Sequence, residues 1–206
     1  MFTPEEIAGL TRDSLSTTDP NDLAYLAVTG KIELPIRDAL GAWITKQFPE
    51  LTAAREYKRR DLVLLRDGAP LAVIEGKLWI SFEANFPHKL HHPNFKEGLV
   101  AASASDIAKM RELRRETGCE MFTSTALFAA DIRNIDRRHL PAVKYPHWHS
   151  RGLANDAELE STHEMGVQLY RDAMSRFGTS ASVRLFEGRV FDMTVLADVV
   201  VCKIDN

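Results

Sequence analysis

Cysteine is scarce in this chain of 206 residues, which has only Cys119 and Cys202. Two distant cysteines form neither a disulfide framework nor a spaced set of metal ligands, so stability and chemistry must come from elsewhere. A reduced, cytoplasmic setting is the expectation. Long hydrophobic runs are missing too: no apolar stretch approaches the length of a membrane-spanning helix. Residues 1–10 lack the basic and apolar blocks of a secretion signal, so no membrane partner is expected. Excess charge of one sign is also absent, with 26 Lys and Arg against 29 Asp and Glu for a net charge of −3. Bulk attraction to a polyanion is therefore excluded, and any nucleic-acid binding would need a local basic patch. Internal repeats and low-complexity segments are not found. What remains is 45% hydrophobic and 27% charged, the balance of a chain that buries an ordinary core.

The patterning predicts a mixed α/β domain. Thr3-Pro4-Glu5-Glu6 has the order of a helix start and predicts a short helix to about Leu10. A second helical segment ends near Val28, before Thr29-Gly30. A longer helix begins near Glu33, with Pro35 in its first turn and Ile36, Leu40, Trp43, Ile44 and Phe48 at helical spacing. Residues 52–82 read as strands, with Asp67-Gly68 as a turn. A helix over Leu99–Thr117, a buried strand over Met121–Ala129 and a helix over Glu158–Phe177 follow. The end reads as a strand over Ser182–Phe186, a turn at Glu187-Gly188 and a strand over Val190–Ile204. The expected layout is a helical N-terminal extension over 1–30 and one globular unit over 31–206.

Two strand-like runs carry charge that a core does not welcome. Asp61 opens the first, and Glu75 and Lys77 interrupt the second. Buried charge is costly unless it is paired or holds a metal. Alternation puts Glu75 and Lys77 on one face with Val73. If the runs form a hairpin, a two-residue Asp67-Gly68 loop pairs Asp61 with Ile74 and sends the carboxylates to opposite faces. An odd-length loop or a bulge is therefore required to bring Asp61 and Glu75 together. Such a pair suits a hard divalent cation, with the carbonyl of Gly76 as a third oxygen and Lys77 beside it to serve a water or a developing charge. Glu33 falls on the inward face of its helix, three, seven and eleven residues before Ile36, Leu40 and Ile44. It is expected to complete the set.

Glu33, Asp61 and Glu75-Gly76-Lys77, in that order over a helix, strands, a helix and a strand, resemble the PD-(D/E)xK nuclease superfamily. The resemblance covers Glu33 to about Ala129. Arg60 stands in place of the motif's Pro, and Gly76 in place of its usual apolar residue. The resemblance implies a restriction-endonuclease-like fold, a central mixed β-sheet flanked by helices. It implies Mg²⁺ or Mn²⁺ held by Asp61 and Glu75, assistance from Lys77, and Glu33 as the accessory acid. The expected activity is hydrolysis of phosphodiester bonds, in DNA as the first choice. The alternative is an inactive module of the same fold that binds nucleic acid or a protein, and a homodimer is left open. Arg59, Arg60, Arg111 and Arg115 are the candidates for phosphate contacts.

Other signals are weaker. His88, His91 and His92, then His147 and His149, lack the acids or cysteines of a metal site and read as polar loops. Trp148 reads equally as a stacking residue or a half-buried anchor. His163-Glu164 opens like a zinc-protease helix, but Val167 stands where the second His belongs. Gly76-Lys77 is not a phosphate-binding loop, because Leu71 replaces its first Gly and Leu78 follows the Lys.

Overall fold

Thr3 sets the first helix. In the computed structural model its hydroxyl accepts the Glu6 N–H, and the Glu6 carboxylate accepts the Thr3 N–H at 2.8 Å. The structure describes residues 2–81, 95–144 and 156–205. Helix α1 (Pro4–Ser14) runs one turn past the predicted end, with the buried Thr11 hydroxyl bonded back to the Ile7 carbonyl at 2.7 Å. Asp19 caps α2 (Pro20–Thr29), and α3 (Glu33–Gln47) begins where Glu33 and Pro35 predict.

Three strands follow in a meander: β1 (Leu51–Tyr57), β2 (Arg60–Arg66) and β3 (Ala69–Ile80). Lys58-Arg59 and Asp67-Gly68 turn the chain, all four residues at positive φ, as tight hairpin turns in twisted sheets require. Helix α4 (Phe95–Thr117) then returns the chain to β4 (Glu120–Ala130), which runs parallel to β3. Helix α5 (Asp156–Met174) leads to the antiparallel hairpin β5 (Gly178–Val190) and β6 (Met193–Ile204). The sheet order is β1-β2-β3-β4-β6-β5. This is the mixed α/β architecture with a central mixed sheet flanked by helices that the patterning predicts.

One turn is displaced from its predicted position. Glu187-Gly188 lies inside β5, and the reversal falls at Phe191-Asp192, with φ of 51° and 62°. Gly188 answers a packing demand instead: a Cβ there would stand 2.2 Å from the Pro20 carbonyl oxygen at the start of α2.

Alternating strand positions feed two cores. Leu62, Leu64, Ala72, Ile74, Phe122 and Val201 pack with α1, α2 and α3, whereas Val63, Val73, Met121, Val200 and Cys202 pack with α4 and α5. Residues 2–30 are built into the first core through Ile7, Leu15, Leu23, Ala27 and Val28. Among the described residues, no helix is long and apolar enough to cross a membrane. His88, His91, His92, His147, Trp148 and His149 lie outside the described residues.

Candidate active site

The bulge that parity demands is present. Arg66 pairs with Ala69 and Leu65 with Pro70 across the two-residue turn, but Leu64 pairs with Ala72, so Leu71 is the extra residue. Pro70, which has no N–H to give a ladder, sits beside it. Beyond the bulge Val63 faces Val73 and Leu62 faces Ile74. Continued one step, this register sets Asp61 opposite Glu75. Both side chains share the parity of Val63 and Val73 and point to the face covered by α4.

On the other flank of β2 the ladder is broken at the same level. Arg55 pairs with Leu62 and Tyr57 with Arg60, but the intervening Glu56 has φ of 54° and makes no pair with Asp61. Asp61 turns instead to β3, where its Oδ2 accepts the Gly76 N–H at 2.8 Å. A Cβ on residue 76 would lie 3.4 Å from that oxygen, an ordinary van der Waals contact, so this approach does not require a glycine.

Glu75 is 5% exposed. Burial, the charges of Asp61 and Asp106, and a hydrogen bond with Asp61 push its pKa to about 8. Two crowded carboxyls favour a proton held on one of them. The Glu75 Oε1 has no hydrogen-bond partner, and neither does the Oγ1 of Thr123, its neighbour in the parallel β3–β4 ladder.

Asp106, from α4, is a member of this group that sequence reasoning did not find. It is 6% exposed, with Oδ2 2.6 Å from the Lys77 Nζ and Oδ1 2.9 Å from the Lys109 Nζ. Burial alone would raise its pKa, but the two ammonium groups hold the carboxyl below its ordinary range. Lys109 is raised in turn by its bond to Asp106.

The structure brings Asp61, Glu75, Gly76 and Lys77 together, with Gly76 contributing its N–H. Glu33 is placed differently. Its helix, α3, covers the opposite face of the sheet, and Glu33 lines a cleft there with Ile36, Arg37, Leu40, Leu62, Ile74, Gly76, Lys77, Ser124 and Ala126. One of its oxygens, Oε2, is buried there without a partner. Among the described residues, no three His, Cys, Asp or Glu side chains form a group able to hold a metal ion. Any cation would rest on the Asp61–Glu75 pair.

The four candidate arginines divide. Arg60 is 8% exposed and anchors α4, donating to the carbonyls of Lys109 (2.7 Å) and Lys58 and meeting Glu112 at 3.4 Å. Its guanidinium is committed within the fold. Arg59 at the hairpin tip, Arg111 and Arg115 are exposed.

A second buried polar cluster, also missed in the sequence, links three elements. His163 of α5 is fully buried, with Nδ1 2.8 Å from the Ser81 Oγ and Nε2 2.8 Å from the Asp198 Oδ2. Arg184 donates to Asp198 at 2.5 Å and to Glu160 at 2.6 Å. Gly166, one turn along α5, has room only for hydrogen, since a Cβ would meet the Ser81 carbonyl oxygen at 2.4 Å. No signal of spacing joins Ser81, His163 and Asp198, which meet only in the fold. No protein-family model, curated protein or solved structure matches the chain.

Proposed function

We propose that the chain is a Mg²⁺-dependent nuclease of the restriction-endonuclease-like fold, acting on phosphodiester bonds, with DNA as the favoured substrate. The observation that carries the reading is the Asp61–Glu75 pair. Two carboxyls from adjacent strands face each other, one buried with an unpartnered oxygen and a pKa of about 8. A divalent cation relieves that crowding better than a proton, and Mg²⁺ is content with one or two carboxylates and several waters. The fold gives further support. The run α3–β1–β2–β3–α4–β4 has the order that the resemblance implies, with Asp61 opening β2 and Glu75-Gly76-Lys77 in β3.

Asp61 and Glu75 would hold Mg²⁺ or Mn²⁺. When bound, the ion supplies charge stabilisation to a phosphate oxygen and acidity to a water. Lys77 stands at the edge of the pair with its side chain 38% exposed, where an ammonium can meet an incoming phosphate. Gly76 fixes Asp61 through its N–H. Glu33 remains an accessory acid only through the Gly76–Lys77 cleft.

A second reading, an inactive module of this fold that binds nucleic acid or protein, is favoured by the absence of a three-acid group among the described residues. One experiment separates the two. Titration calorimetry with MgCl₂ and MnCl₂ is combined with cleavage of supercoiled and linear DNA and of RNA. Cation binding together with cleavage, both lost in Asp61→Ala, supports the nuclease. Nucleic-acid binding with no cation heat and no cleavage supports the module.

A further inference from the structure

Lys77 does not pair with the acid nearest to it in sequence. Glu75 lies two residues away on the same face of β3, buried and with a free oxygen, yet the Lys77 Nζ rests 2.6 Å from the Asp106 Oδ2 on α4. Asp106 meets a lysine at each oxygen, Lys77 at ion-pair distance from Oδ2 and Lys109, one turn further along α4, by a hydrogen bond to Oδ1. The backbone carbonyl of Lys109 is in turn held by Arg60, the residue before Asp61. A continuous path therefore runs from β2 through the Arg60 guanidinium to α4, and from Asp106 back to β3.

We propose that Asp106 is a positioning residue that holds the Lys77 ammonium clear of Glu75 and at the rim of the carboxyl pair. The catalytic consequence rests on the nuclease reading. With Asp106 in place, the Lys77 ammonium is held off the Asp61–Glu75 pair and presented at the solvent edge. Without it, the nearest acid for Lys77 is Glu75, and the lysine would collapse onto the pair and act as its counter-ion. Lys109 secures the Asp106 rotamer, and its own charge offsets the second half of that carboxylate.

The test uses the full chain labelled with ¹⁵N and follows the lysine Nζ resonances, with Lys77 assigned through Lys77→Arg. The Lys77 ammonium is expected to be visible and slow to exchange in the wild type, and to be lost in Asp106→Asn while the backbone amide spectrum is retained. Asp106→Glu keeps the charge but moves the carboxylate by one methylene, and should shift the signal without abolishing it. In Mg²⁺-supported cleavage, Asp106→Asn should lower kcat by about 10- to 100-fold, the cost of a misplaced group, with KM little changed. Asp106→Glu should recover part of that loss. A Lys77 signal indifferent to both substitutions overturns the proposal, and so does an unaltered kcat in a cleaving enzyme. If the wild type cuts nothing but its Lys77 signal depends on Asp106, the positioning role stands and the nuclease reading falls.

Discussion

Two buried polar clusters lie on the face covered by α4 and α5, and they dispose of their charges in opposite ways. Around His163 the charges are matched: Ser81, the imidazole, Asp198, Arg184 and Glu160 form one chain. No buried side-chain atom of that chain is left without a partner. Burial pushes the Asp198 carboxyl up, but His163 and Arg184 hold it below its ordinary range. Around Glu75 the balance fails. Three acids crowd together, both lysines go to Asp106, and Glu75 keeps a proton and an empty oxygen. A closed network rigidifies a fold, whereas an open one marks a place where something else completes it. Under the proposed function, the first cluster reads as structure and the second as the place where a cation would complete the site.

The comparison breaks most visibly where the closed cluster is cut. Asp198→Ala takes the Nε2 partner from the buried His163 ring and leaves Arg184 with Glu160 alone, and should cost about 1–3 kcal/mol in urea unfolding. A loss too small to measure would mean that the chain is not a structural tie. On the open side the same kind of cut should spare the fold and remove the activity. Asp61→Ala and Lys77→Ala are each expected to slow Mg²⁺-dependent cleavage by about 100-fold or more with unfolding midpoints close to wild type. Variants that unfold as readily as Asp198→Ala would erase the distinction.

A subtler effect concerns pH. Glu75 titrates near 8 in the native state and at 4.5 as an ordinary glutamate. Between those values the native protein holds a proton that the unfolded chain has released, so wild-type stability falls as pH rises through that window. Glu75→Gln removes this slope. At pH 9 the variant should be the more stable protein. Parallel pH-stability curves for the two proteins would deny the crowding. The same proton should leave when a cation arrives. Calorimetry at pH 7 in buffers of different ionisation enthalpy is expected to find about one proton released per Mg²⁺ bound, and none in Glu75→Gln. The smallest effect belongs to the exposed hairpin tip. Arg59→Ala should weaken DNA binding a few-fold and reduce the slope of log affinity against log salt by about one. An unchanged slope removes Arg59 from the phosphate contacts.

Most of the fold could be read from local chemistry, because its signals act over a few residues. Thr3 with Glu6, Pro35 near a helix start, and Asp67-Gly68 are each decided by a turn or less of backbone. Even the bulge was legible, since counting residues between Asp61 and Glu75 leaves one too many for a two-residue turn. Gly188 misled because a glycine required by an approaching helix looks, in sequence, like a glycine required by a turn. The site was half legible for a similar reason. Helical periodicity shows that Glu33 faces inward but not which side of the sheet its helix covers. Asp106 and Lys109 look like an ordinary surface ion pair three residues apart. Only the packing of α4 on β3 turns them toward Lys77.

The extra residue at Leu71 has a consequence for how this hairpin can change. It acts as a phase setting for everything downstream on β3. Remove one residue there and the two rows of the strand exchange sides: Val73, Glu75 and Lys77 would turn toward α3, while Ala72, Ile74 and Gly76 would turn toward α4. The acids would part, and charge would enter the larger core. The hairpin can thus accept many alterations of kind, residue for residue, but hardly any alteration of count. Its length, as much as its carboxylates, belongs to the site.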